Sequence, residues 1–287
     1  MSERGLEAAG NSVHPTRIVH RVATGAASLF VEVIGQGEPV VFLHAAVGDR
    51  RMWSRQCDGI GLGHMGIAYD RRGFGNTSAQ REDHSAVGDL LAMLDAIAPG
   101  RVAILVGCSQ GGGIAINAAL LHPSRVRALV LVAPSVAGAP EASVSLKTRS
   151  EFARLEEAEK AGDLERVGAI KAHLWLDGPL ATEGRVDGDA RRLFLEMNAM
   201  ALQSPPPGQS VDAVQAYERL SEITVPTLVL WGDLDFEHIQ KRCGHIVASV
   251  AHGSGHMIPG TAHLPSLEQP ERVTQLIDRF LTRLEPA

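Results

Sequence analysis

The sequence predicts an α/β protein: a mostly parallel, doubly wound sheet, interrupted once by a block of helices. Three observations lead there. Short, continuously apolar runs recur at Val40-Val41-Phe42-Leu43, Gly66-Ile67-Ala68-Tyr69, Val102 to Val106 and Ala128 to Val132, as strands buried on both faces require. Helix-patterned stretches separate them. A serine between two glycines, Gly107-Cys108-Ser109-Gln110-Gly111, stands where one of these runs meets a small-residue helix pattern. That is the arrangement of a nucleophile elbow, in which a strained turn pushes the hydroxyl out of the sheet edge.

Composition narrows the classes. The 287 residues suffice for one large domain or a core with an insertion. Hydrophobic residues make up 45% and charged residues 21%, the balance of a water-soluble globular chain. The net charge of -6, with scattered Lys and Arg, supplies no basic patch for nucleic acid. No apolar run approaches a membrane span. Residues 1–16 read as a polar tail without the apolar stretch of a signal peptide. Three cysteines, Cys57, Cys108 and Cys243, are an odd number at unrelated spacings. They suggest neither a disulfide frame nor a zinc site and fit a reducing cytoplasm.

The elements follow in order. Arg17 to Ala23 and Ser28 to Ile34 are β-rich and joined by a Gly-Ala turn. Val40 to Leu43 and Gly66 to Tyr69 are buried strands, the second ending at Asp70-Arg71-Arg72-Gly73-Phe74-Gly75. Between Asp83 and Ala98 the apolar positions Val87, Leu90, Leu91, Met93, Leu94 and Ile97 fall mostly on one helix face. The strand into Ser109, its helix, and the strand Ala128 to Val132 come next. From 140 to 220 the β runs vanish and helical spacing takes over, with Asp163 as an N-cap after Ala161-Gly162. This stretch reads as a helical cap inserted into a core of 17–139 and 221–287. Val225 to Trp231 resumes the sheet, Val247 to Pro259 holds one more strand, and Pro270 to Leu284 is a final amphipathic helix with Pro at its start.

A serine hydroxyl is barely ionised at neutral pH and needs a base, which needs an acid to fix its tautomer. With this elbow the chain order is serine, acid, histidine. Leu230-Trp231-Gly232-Asp233-Leu234-Asp235 follows a buried strand and offers two acids. His263 lies in the loop before the last helix, with His252 and His256 as nearby rivals. His44, Asp70 and Ser109 each stand just past an apolar run, at the sheet edge where ligands of such folds collect.

Together these pieces resemble the α/β-hydrolase fold superfamily over nearly the whole chain, from about Ile18 to Leu284. The matching segments are Phe42-Leu43-His44-Ala45-Ala46, Asp70 to Gly75, Gly107 to Gly111, Gly232 to Asp235 and Gly260-Thr261-Ala262-His263. Within the superfamily the chain is similar to serine esterases, enol-lactonases and cofactor-free haloperoxidase-like enzymes. The resemblance implies Ser109 as nucleophile, Asp235 as acid and His263 as base, with an oxyanion hole from the amides of Gln110 and Ala46. Alanine at position 45 replaces the family's usual glycine, which leaves the choice between Ala45 and Ala46 open. Serine at the elbow argues against the dehalogenase and epoxide-hydrolase branches, which use a carboxylate nucleophile.

The implied reaction is hydrolysis of a small, fairly apolar ester or lactone through an acyl-enzyme, with no metal or organic cofactor. Narrower or different readings are enol-lactone hydrolysis, C–C bond hydrolysis, perhydrolysis, and a slow-turnover small-molecule receptor. His44, Ala45, Trp53, Trp175 and Met197 are candidates to line the substrate pocket. For His44 holding the loop, and for Trp53 core packing, are the plainer alternatives. Asp70, beside Arg71 and Arg72, reads as a salt-bridged loop anchor rather than a catalytic group. Cys108 should point away from Ser109 into the packing. The partner is a small molecule, not nucleic acid or membrane; a homodimer is left open.

Overall fold

The computed structural model describes residues 16–284; the expected tail lies outside them except for its last position. Among the described residues nine strands form one sheet. They are β1 (Arg17–Thr24), β2 (Ala27–Ile34), β3 (Pro39–Leu43), β4 (Met65–Asp70), β5 (Ser78–Ala79), β6 (Ala103–Cys108), β7 (Val126–Val132), β8 (Thr227–Gly232) and β9 (Gly253–Ile258). Their spatial order is β1-β2-β4-β3-β6-β7-β8-β9, with β5 beside β2. β2 runs antiparallel to β1 and to β4. From β4 across to β9 every pairing is parallel.

Burial explains the sequence pattern. β3 and β6 are buried at every position, because helices cover both faces. β2 alternates buried and half-buried residues along most of its length. The helices are α1 (Ser54–Ile60), α2 (Ala86–Ile97), α3 (Gln110–Leu121), α4 (Leu146–Ala161), α5 (Leu164–Lys171), α6 (Gly188–Gln203), α7 (Glu237–Ser249), α8 (Pro265–Glu268) and α9 (Pro270–Leu281). α2, α3 and α7 close one core with Leu90, Ile116 and Ile246. α1 and α9 close the other with Ile60 and Ile277. Ser85 caps α2 by accepting from Gly88 N–H, and Asp163 caps α5 through Arg166 N–H.

The segment between β7 and β8 holds α4, α5, a π-helical turn over Ala172–Asp177, and α6. It touches the core at defined points. Phe152 and Trp175 meet the ring of Phe236 at 5.9 and 6.0 Å. Met197 packs over Gly48.

The chain leaves β3 for β4 on one side and later returns to β6 on the other. The strand order reverses there, which opens a crevice beyond the carboxyl ends of the strands. Leu43 of β3 lies opposite Gly107 of β6, so the loop after β3 and the elbow after β6 emerge side by side.

Two residues named above take their places here. Trp53 exposes no surface, and its ring lies 5.5 Å from that of Phe42 in the core. Asp70 is a buried, salt-bridged anchor; its partner is Arg50 at 2.7 Å, helped by the Arg50 and Asn76 amides. Arg72 holds Asp89 and Glu82, and among the described residues no carboxylate faces Arg71.

Candidate active site

Ser109 ends β6 with φ 52 and ψ -117, a strained conformation for a residue with a Cβ. Backbone bonds hold it there: its N–H donates to Val132 O at 2.9 Å, and its carbonyl accepts from Gly113 and Ser135 N–H. The flanking glycines are required by space. A Cβ on Gly107 would stand 2.5 Å from Gly111 O, and one on Gly111 would stand 2.3 Å from Leu43 O. The second contact shows how closely the elbow presses on the loop after β3.

Asp235 follows β8 and is buried. Its Oδ2 accepts from His263 Nδ1 at 2.9 Å, and its Oδ1 accepts from Phe236 N–H at 2.7 Å. Asp233 turns elsewhere: its Oδ1 accepts from Gly260 N–H at 2.7 Å. The Gln240 side chain donates to the carbonyls of both Asp233 and Asp235 and so braces the loop. No sequence signal marked Gln240 beyond its place on α7.

His263 is buried in the loop after β9. The Asp235 carboxylate assigns the neutral ring's proton to Nδ1. Nε2 is then a bare acceptor, buried and without a hydrogen-bond partner. Ser109 Oγ makes no hydrogen bond to it in this structure. The loop is held by Glu268, which accepts from Ala262 N–H at 2.8 Å and pairs with Arg185. Burial pushes the Glu268 carboxyl up to about 7, against the opposing pull of Arg185. His256 sits on β9 and meets Arg272 instead.

In the loop after β3 the two alanines differ in surroundings. Ala45 is buried and its N–H is directed at Met52 Sδ, 3.3 Å away. Ala46 is exposed, and among the described residues its N–H meets no acceptor. Gln110 opens α3, so its N–H has no intrahelical acceptor. The Gln110 side chain is exposed and Ser109 is half-buried.

Three more of the expected pocket residues are buried. His44 exposes no surface. Its Nε2 accepts from Arg71 N–H at 3.1 Å, which assigns the ring proton to Nδ1, 2.8 Å from Ala45 O. Burial, then the nearby Arg71 charge, holds its pKa well below the usual histidine range. These contacts hold the loop after β3 in place. Ala45 is likewise walled in. Met197 is buried and its sulfur receives Asp49 N–H at 3.4 Å; it fastens the insertion to the loop. Trp175 is half-buried among Phe152 and Phe236. Cys108 is buried, and its Sγ lies 3.7 Å from His263 O; burial raises its thiol pKa well above normal.

A cavity of about 430 Å³ lies against Asp235 and Phe236, with Thr148, Pro179 and Leu180 of the insertion opposite. A second, of about 240 Å³, is lined by Ala46, Phe74, Asn198 and Pro207. Neither is lined by Ser109 or His263. Among the described residues no group of three His, Cys, Asp or Glu side chains could hold a metal ion, and no helix is long and apolar enough to cross a membrane.

Known proteins match this picture. The sequence profile of the alpha/beta hydrolase family matches residues 40–276. An epoxide hydrolase of Caballeronia sordidicola is 31% identical over 172 residues, 57% of this chain and half the length of that protein. A 2-succinyl-6-hydroxy-2,4-cyclohexadiene-1-carboxylate synthase assigned as putative in Bacillus subtilis (strain 168) is 26% identical over 86% of this chain and 91% of its own. A thermophilic esterase from Thermogutta terrifontis superposes with a TM-score of 0.74 at 23% identity, covering 94% of this chain and all of that one.

Proposed function

Since the chain belongs to the alpha/beta hydrolase family, we propose that it is a serine hydrolase acting on a small, fairly apolar carboxylic ester or lactone. Ser109 is the nucleophile, His263 the base and Asp235 the acid. The observation that carries this reading is the His263 Nδ1–Asp235 Oδ2 bond of 2.9 Å, with Nε2 left bare. A buried imidazole so oriented has one free function, to accept a proton. The positive φ of Ser109 supports its pairing with that ring. Contacts of this kind are often long before substrate binds and tighten afterwards.

In the reaction, His263 Nε2 takes the Ser109 proton as Oγ attacks the carbonyl carbon. The Asp235 carboxylate stabilises the imidazolium. The carbonyl oxygen becomes an oxyanion held by the Ala46 and Gln110 N–H groups, each contributing about 3–4 kcal/mol at the transition state. Collapse expels the alcohol, protonated by His263, and leaves an acyl-Ser109 ester. Water, activated by the same imidazole, releases the acid. The relatives' names cover an epoxide hydrolase, a synthase and an esterase, and the serine argues against the first. An epoxide hydrolase of this fold opens its substrate with a carboxylate nucleophile, and this elbow offers only a hydroxyl.

The test is hydrolysis of p-nitrophenyl acetate and butyrate, with Ser109→Ala as control. The variant should lose at least about 10⁴-fold in kcat. Full turnover in Ser109→Ala removes the nucleophile assignment. Tight binding of a small apolar molecule, without hydrolysis of any ester or lactone by the intact protein, favours a receptor.

A further inference from the structure

Arg71 carries a charge that its surroundings do not answer. Three arginines are buried among the described residues. Arg50 faces Asp70 and Glu32, and Arg72 faces Asp89 and Glu82. Among the described residues Arg71 faces no carboxylate. Its guanidinium lies 4.8 Å above the Phe74 ring, and its Nε meets no acceptor. Burial lowers its pKa only to about 10, so it stays charged at neutral pH. An uncompensated buried cation is costly to keep, and its contacts are specific.

Those contacts join the two segments that carry the free amides. Arg71 Nη1 donates to Gln110 Oε1 at 2.7 Å. Nη2 donates to His44 O at 3.1 Å, and the Arg71 backbone N–H donates to His44 Nε2. One guanidinium thus ties the loop of Ala46 to the elbow of Gln110.

We propose that Arg71 is a positioning residue that clamps the loop after β3 to the elbow helix, and that its missing counter-charge is the oxyanion formed between the Ala46 and Gln110 amides. The proposal rests on the serine-hydrolase reading. Its strength is that the charge is present before reaction, fixed in place and shielded from water, so it stabilises negative charge only when that charge appears. The rival role is capture of a carboxylate carried by the substrate, since Arg71 and Gln110 also line a cavity of about 120 Å³. The geometry favours the clamp, because Nη1 and Nη2 are already bonded to protein oxygens and Nε is enclosed.

The experiment uses the full chain and the variants Arg71→Met, Arg71→Lys and Gln110→Ala. The last removes only an exposed side chain and keeps the Gln110 N–H, so it tests the clamp even if Arg71→Met fails to fold. Active sites are titrated with a fluorophosphonate, and kcat per titrated site and KM are measured on p-nitrophenyl butyrate and on the mono-p-nitrophenyl ester of adipic acid. Arg71→Met should lose about 10²-fold in kcat per site on both esters, with KM changed less than about threefold, as for loss of an oxyanion donor. Arg71→Lys keeps the charge without the bridge and should fall between, as should Gln110→Ala.

Three results overturn the proposal. Unchanged kcat per site in both Arg71→Met and Gln110→Ala, with only fewer competent sites, makes Arg71 merely structural. A rise in KM confined to the adipate ester makes it a carboxylate receptor. A wild-type protein that the fluorophosphonate does not label defeats the hydrolase reading itself, and the clamp with it.

Discussion

At the scale of single residues, two neighbouring aspartates do different work. Asp235 Oδ2 meets the His263 ring, whereas Asp233 Oδ1 accepts from Gly260 N–H. Replacing Asp235 with Asn keeps the shape but offers an amide where an acceptor is needed, and the ring is turned to the wrong tautomer. Asp235→Asn should therefore lower kcat by about 10⁴-fold. Asp233→Asn keeps a carbonyl oxygen for Gly260 and should stay within about tenfold of wild type. The two kcat values on p-nitrophenyl butyrate decide the matter. A larger loss in Asp233→Asn would move the acid to the other residue. The same attention to single atoms separates Ala45 from Ala46. Their side chains are identical, and only the Met52 sulfur, seven residues away from Ala45 and invisible to any local pattern, distinguishes their amides.

At the scale of elements, the short helix α8 governs the loop of His263. Glu268 at its end accepts from Ala262 N–H and pairs with Arg185 of the insertion. Its carboxyl is raised from 4.5 to about 7, first by burial. A raised acid binds its proton more tightly in the folded state than in the unfolded chain. Its contribution to stability is thus fully present below about pH 4.5 and is lost as pH rises through about 7. The full change is on the order of 3 kcal/mol. Glu268→Gln preserves an oxygen for Ala262 and cannot titrate. The unfolding free energy of wild type minus that of Glu268→Gln should fall steadily between pH 5 and 8 in urea titrations. A flat difference would mean that Glu268 ionises normally and that Arg185 fully offsets its burial.

At the scale of the whole molecule, what the sequence disclosed and what it withheld divide by distance along the chain. The strands were legible because burial on both faces forces unbroken apolar runs, and the elbow because Gly107 and Gly111 have no room for a Cβ. Contacts made across the fold left no such trace. Asp70 pairs with Arg50, twenty residues back, and not with the adjacent Arg71 and Arg72. Met197, Trp53 and His44 are apolar or aromatic at plausible places, yet the packing encloses them. The join between insertion and core is of this kind, and it bears on selectivity. Phe152 of α4 stacks on Phe236, the residue after Asp235, with their rings 5.9 Å apart. Trp175 completes the cluster at 6.1 and 6.0 Å. Phe236 also lines the cavity of about 430 Å³ beside Asp235. Phe152→Ala removes the ring stacked on Phe236, so that this part of the wall can relax, without touching Ser109, Asp235 or His263. It should cost about 2–3 kcal/mol of stability, the low end for a half-buried aromatic. It should also enlarge the cavity, so that kcat/KM shifts by about tenfold in favour of p-nitrophenyl octanoate over the acetate, the gain of a few buried methylenes less the cost of ordering them. Equal changes on both esters would mean that the cluster braces the insertion and takes no part in choosing the acyl chain.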